Sequence, residues 1–226
     1  IPVLPQACLE ALEVSSGRIF IDGTFGRGGH SQLILNELSD DGRLFSFDHD
    51  SDAIQAGQKI AQADSRLQLM NHSFSQMADV LPKDLVGKVD GVLLDIGVSS
   101  PQLDEAERGF SFMRDGPLDM RMNQQQPKRA YDYLMQATQA QLVHDIATYG
   151  EERCAKRIAN MIVKEREASK LKDSTLYLAD LVIACGVRRE RNKHPATRTF
   201  QALRMVVNDE VGELERGLLA AMQVLS

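Results

Sequence analysis

Long apolar runs are missing: nothing in the 226 residues reaches membrane-spanning length, and no charged-then-apolar segment opens the chain. Neither a membrane partner nor a secretory leader is therefore expected. Cysteine is scarce. Cys8, Cys154 and Cys185 are odd in number and lack metal-ligand spacing, which points to reduced thiols in a cytoplasmic protein and to no metal centre. Positive charge is in deficit, with 26 Lys and Arg against 32 Asp and Glu, a formal net of −6. That balance argues against general affinity for bare nucleic acid but leaves room for a local basic face. What is present is an ordinary globular composition, 43% hydrophobic and 26% charged, enough for one large domain or a domain with an insertion.

The organising stretch is 18–30. Ile19, Phe20 and Ile21 read as a buried strand, Asp22 follows, and Gly23, Gly26, Gly28 and Gly29 make a turn. Leu33, Ile34, Leu35 and Leu38 then put apolar side chains on one face of a helix. Such a turn brings bare backbone and a helix N-terminus to a ligand, or it is an ordinary strand-to-helix connection; the turn alone does not choose. Further strands are read over 42–48, 66–71 and 89–95, with helices over 53–61 and, ahead of the first strand, within 1–17. Strands separated by helices imply a parallel sheet with ligands at the carboxyl ends of the strands. Asp22, Asp48, Phe74 and Asp95 all fall at or just beyond such ends. Asp48 lies about twenty residues past the glycines, where an acid reaches a ribose hydroxyl or simply faces solvent.

Beyond Asp95 the pattern changes. Residues 109–122 mix Phe110, Phe112, Met113, Leu118, Met120 and Met122 with charges, a local packing cluster. Helices are expected over 130–136, 139–148, 151–166 and 175–185, a helical lobe inserted after the fourth strand. Arg188, Arg189, Arg191, Lys193, Arg198 and Arg204 against Glu190 make 188–204 the one clearly basic segment. It reads either as a solvated charge run or, with His194, Pro195 and Phe200 interleaved, as a phosphate-contacting loop. A final helix, capped by Thr199, is expected to run to about Val224 with Phe200, Leu203, Val206, Val207, Val211, Leu214 and Leu218 on its buried side.

The glycine turn fits a nicotinamide fingerprint badly, because the last glycine of G-x-G-x-x-G would fall on Ser31. A cofactor without a pyrophosphate tolerates a looser turn, and S-adenosylmethionine is one. At this point the chain resembles the bacterial 16S ribosomal RNA cytidine N4-methyltransferases. The resemblance is carried by Gly23-Thr24-Phe25-Gly26-Arg27-Gly28-Gly29-His30, by 94–104 with its Leu94-Asp95-Ile96-Gly97-Val98-Ser99-Ser100-Pro101-Gln102, and by 107–122. Tyr149-Gly150-Glu151-Glu152-Arg153 and Lys193-His194-Pro195-Ala196-Thr197-Arg198-Thr199-Phe200 agree in the same order.

The resemblance implies an α/β, Rossmann-like class I methyltransferase fold with a helical insertion domain. Its expected parts are a methyltransferase core over 1–104, an RNA-recognising insertion over 105–197, and a return helix over 198–226. It implies methylation of the exocyclic amine of one cytidine in the decoding region of 16S rRNA, with S-adenosylmethionine as cofactor; the acidic total charge favours the assembled small subunit over free RNA as partner. Cofactor contacts carry over to Gly28, Gly29, His30 (chiefly through its backbone), Asp48, Phe74, Asp95 and Gln102. Asp95 is also the candidate catalytic acceptor. Arg188, Arg189, Lys193, His194 and Arg198 are the candidates for RNA. The family's further glycine-rich turn, strand and Ser-Phe-His-Ser-type segment have no counterpart here, so the chain is read as C-terminally shortened, with an open sheet edge that invites a homodimer. A non-catalytic RNA-binding or ribosome-assembly factor on the same fold is one alternative. A nucleotide-dependent oxidoreductase is another, disfavoured by Ser31 and by the lack of an obvious hydride-transfer acid.

Overall fold

The computed structural model describes residues 2–188 and 193–226. They form two compact units, Ile1–Ser99 with Val211–Ser226, and Ser100–Glu210. In the first unit, α1 (Pro5–Leu12) precedes β1 (Ile19–Asp22), α2 (Gly29–Glu37), β2 (Arg43–Phe47), α3 (Ser51–Ala63), β3 (Leu67–Met70), α4 (Met77–Val80) and β4 (Gly91–Leu93). The strands are parallel in the order β3-β2-β1-β4. This is the start of a doubly wound, Rossmann-like α/β sheet, and strand order reverses between β1 and β4.

Alternation along each strand sorts side chains to the two faces. Phe20, Leu44 and Leu67 meet Ile34, Leu35 and Ala53 of α2 and α3 on one side. Ile21, Phe45 and Phe47 meet Met77, Leu81 and Leu85 on the other, together with Ala220, Ala221 and Val224 of the final helix. Both faces being covered explains why these strands are nearly all apolar rather than alternating with polar residues. The helices start where short polar side chains supply acceptors: the Asp50 carboxylate accepts from the Asp52 N–H at 3.1 Å and opens α3.

The second unit holds α5 (Ser100–Asp104), α6 (Ala130–Gln136), α7 (Gln139–Thr148), α8 (Ala155–Glu167), α9 (Thr175–Ala184) and α10 (Thr197–Val207). Thr138 and Gln141 form a reciprocal capping box on α7, and Ser174 caps α9. Leu118, Met120, Leu134, Leu142, Ile158 and Val182 are fully buried, so the methionine-rich stretch is largely core; Met113, 82% exposed, is not.

The expected single closing helix is two, α10 and α11 (Glu210–Val224), and the segment is thus shared between the units. Asp209 takes a left-handed φ of 48°, and the buried Asn208 accepts from the Met122 N–H and donates to the Met120 carbonyl, each at 2.7 Å. These two bonds hold the break. Thr199 does not cap: it lies inside α10, fully buried, and the N-cap position is Ala196, which makes no side-chain bond. At the end of α11, the Ser226 N–H donates to the Val89 carbonyl at 3.0 Å, and Leu225 forms a parallel bridge with Val89. Among the described residues, no helix is long and apolar enough to cross a membrane.

Candidate active site at the carboxyl edge of the sheet

In an open parallel sheet, ligands bind outside the carboxyl ends of the strands where the strand order reverses. Here that place is the mouth between β1 and β4. Asp22 ends β1 with no exposed surface. Its carboxylate accepts from the Thr24 N–H at 3.1 Å and from the Ser31 hydroxyl at 2.6 Å. Ser46, 2.8 Å from Ser31, supplies the next hydroxyl; since the Ser31 proton goes to Asp22, Ser46 donates to Ser31. Burial pushes the Asp22 carboxyl above its usual range, and the bonds from Ser31 and Thr24 pull it back only in part. The residue that spoils the glycine fingerprint thus has a structural task of its own.

The glycine turn is stapled to both neighbouring strands. The Gly23 N–H donates to the Leu93 carbonyl at 2.8 Å, and the Phe25 N–H to the Phe47 carbonyl at 2.9 Å. Gly28 sits at φ +74°, and a Cβ there would lie 2.8 Å from the Phe25 ring and 2.9 Å from Ile60, so no larger residue fits without a shift. Gly29 then opens α2. Asp48, just past β2, is half-buried and accepts from the Gly26 N–H at 2.8 Å with one oxygen and from the Asp50 N–H at 2.9 Å with the other. Its carboxyl is also raised, by burial first.

Phe74 follows β3 in a short turn capped by Ser73, whose hydroxyl donates to Glu213 of α11. Gly217 of α11 abuts the Phe74 ring so closely that a Cβ would stand 2.3 Å from Cε2. Asp95, two residues beyond β4, is gripped twice. Its N–H donates to the Thr24 hydroxyl at 2.7 Å, and its carboxylate lies 3.5 Å from Nε2 of His30. His30 is only 7% exposed while the Asp95 side chain is 43% exposed, so a buried ring backs a carboxylate that faces out. The imidazole as well as the backbone of His30 therefore lies at this edge of the sheet.

Gly28, Gly29, His30, Asp48, Phe74 and Asp95 all belong to the first unit and cluster at this one edge. Gln102 lies in α5 of the second unit and is buried. Of the basic candidates, Arg188, Lys193 and His194 are exposed, while Arg198 donates to the Glu151 carbonyl at 2.8 Å; Arg189 falls outside the described residues. Sequence reasoning missed Thr24, Ser46, Glu213 and Gly217. Gly217 carried a signal: a glycine inside an apolar-striped helix costs about 1 kcal/mol and asks for a packing reason.

The family model described as the MraW methylase family matches residues 1–226. The chain belongs to the MraW methylase family. A curated relative, the ribosomal RNA small subunit methyltransferase H of Shewanella amazonensis, is 48% identical over 225 residues, covering 99% of this chain and 71% of the relative. A crystal structure of a Clostridium thermocellum protein proposed to be an rRNA-methylase aligns with 36% of this chain and 49% of its own at 18% identity. Its TM-score of 0.32 is too low to bear on the fold.

As a methylase of this family the chain depends on S-adenosylmethionine. The residues at the edge fit that group. The turn at Gly26 and Gly28 brings backbone to the edge without side chains, and at Gly97 a Cβ would meet nothing within 4 Å. Each Asp48 oxygen accepts one backbone N–H, which leaves a further lone pair on each for a pair of ribose hydroxyls.

Proposed function

We propose that this methylase transfers a methyl group to the exocyclic N4 amine of one cytidine in the decoding region of small-subunit ribosomal RNA, with Asp95 as the acceptor that readies the amine. The observation that carries this reading is the placement of an outward-facing Asp95, held by Thr24 and His30, beside the glycine turn at the reversal point of the sheet. The 48% identity to a small-subunit rRNA methyltransferase supports the substrate class. The acidic total of −6 favours an assembled particle over free RNA as the target.

S-adenosylmethionine, when bound, supplies an electrophilic methyl group, and the rest of the task falls to the chain's residues. Gly28 and Gly29 would admit its methionine end, Asp48 would hold the ribose hydroxyls, and Phe74 would wall the adenine, while Gln102 of the second unit would hydrogen-bond its own loop. A cytosine amine is a poor nucleophile because its lone pair is delocalised into the ring. A carboxylate accepting its N–H favours a pyramidal nitrogen and offsets the positive charge that develops there. Thr24 fixes the Asp95 backbone and His30 its carboxylate, so the acceptor is in place beforehand. The base must leave its stack to reach this edge, and the exposed basic side chains Arg188, Lys193 and His194, with Arg189 and Arg198, are assigned to the RNA, mainly to its phosphates.

The test is transfer of a tritiated methyl group to small-subunit particles, followed by nucleoside analysis. N4-methylcytidine is the expected product. Asp95→Asn should lower turnover by about 100-fold or more while cofactor affinity stays within about threefold. A different methylated nucleoside, or wild-type turnover by Asp95→Asn, would refute the reading.

A further inference from the structure

The second unit carries a column of three aromatic rings that runs from its core to its surface. Phe200 on α10 is 4% exposed. Phe112 meets it edge-on, with centroids 4.8 Å apart and planes at 76°. His194 lies across Phe112 at 4.5 Å and 34°. Exposure rises along the column: Phe200 is buried, Phe112 half-buried and His194 exposed. The outermost ring is fixed twice, by Phe112 behind it and by its own Nδ1, which accepts the Ala196 N–H at 3.2 Å. An exposed ring gains little for stability from such fixing. Beside it stand the exposed Lys193 and, next to Phe112 in the chain, the exposed Met113.

We propose that His194, backed by Phe112, is a stacking platform for one unpaired base of the RNA, an assignment that rests on the rRNA-methylase reading. A flat ring face has nothing specific to give a phosphate, whereas every nucleobase has a π-face. Rigid surface aromatics beside cationic side chains are the usual way proteins hold single-stranded nucleic acid. Lys193 contacts the backbone by charge and His194 holds a base by contact area, so the two residues answer differently to salt. This gives His194 a role other than the phosphate contact expected of a basic loop.

The experiment measures binding of the full chain to a short unstructured RNA oligonucleotide, and to the same sequence in a duplex, by fluorescence anisotropy over a range of salt. His194→Phe keeps a ring and loses the Nδ1 acceptor; His194→Asn keeps an acceptor for the Ala196 N–H and loses the ring. Stacking predicts that His194→Asn weakens single-strand binding about 5- to 100-fold at every salt concentration, with an unchanged slope of log K against log salt. His194→Phe should stay within about threefold of wild type, and duplex binding should hardly change. Lys193→Ala should instead flatten the slope by about one unit. Melting curves that match wild type establish that each variant is folded. The proposal is overturned if His194→Phe is as weak as His194→Asn, if His194→Asn flattens the slope, or if it binds as wild type does. If the wild-type chain binds neither RNA, the platform falls, while the rRNA-methylase reading is judged separately by methyl transfer to small-subunit particles.

Discussion

Replacing Gly217 by alanine tests how the Phe74 ring is held. An alanine Cβ would stand 2.3 Å from Cε2 and 2.4 Å from Cδ2 of that ring. Carbon atoms in contact prefer about 3.5–4.0 Å, so the ring must retreat by more than about 1 Å. Its retreat is limited at the backbone, because Ser73 beside it is tied to Glu213 of the same helix α11. Overpacking of this kind costs about 1–3 kcal/mol, offset by about 1 kcal/mol from alanine's better helix propensity. The fold should therefore lose no more than about 2 kcal/mol. If Phe74 walls the adenine, a ring moved by an ångström forfeits contact with it, and affinity for S-adenosylmethionine should fall about 10- to 100-fold. Calorimetric titration reads that loss, and a melting curve reads the stability. Adding Phe74→Leu to Gly217→Ala should cost far less than the two single effects combined, because without the ring the new methyl group has nothing to displace. Undiminished cofactor affinity in Gly217→Ala would refute the placement of Phe74 at the adenine.

Two other substitutions probe the frame of each unit. Asp22 has a folded-state pKa raised above 3.8 by burial, so its contribution to stability is fully present below that value and is lost as pH rises through the folded one. Asp22→Asn can accept from Thr24 and donate to Ser31 without a charge. Its melting temperature relative to wild type should accordingly rise as pH is raised above about 4, and a difference that stays constant as pH rises would show that Asp22 is not held protonated by burial. In the second unit, Asn208→Ala strands the Met122 N–H and the Met120 carbonyl in a buried place, which should cost about 2–5 kcal/mol by urea unfolding. A loss below about 1 kcal/mol would mean that the break between α10 and α11 is held by something else.

Much of the first unit could be read from spacing. The apolar triplet Ile19-Phe20-Ile21, the glycines after Asp22 and the acids ending later strands were enough to expect a parallel sheet with Asp22, Asp48, Phe74 and Asp95 at one edge, and they lie there. Local signals sufficed for α6 and α7 too, whose bounds match the expectation; in α7 a capping box and an apolar stripe agree. Where reading failed, the apolar pattern gave no warning. Apolar residues keep helical spacing from Phe200 through Val207 to Val211, so the apolar pattern runs straight across the break, and only the polar pair Asn208-Asp209 offers a local stop signal. The partners of Asn208, Met120 and Met122, are 88 and 86 residues away.

Sequence alone therefore determined the four parallel strands, the glycine turn and the acids at the strand ends, because these depend on periodicity and on backbone freedom within a few residues. Only the tertiary structure decided that Ser31 and Ser46 satisfy a buried Asp22, that the His30 imidazole backs Asp95, and that Gly217 leaves room for Phe74. Each of those depends on a side chain finding its partner across the fold. A hydrogen bond or a close contact depends on distance in space, which spacing along the chain does not encode.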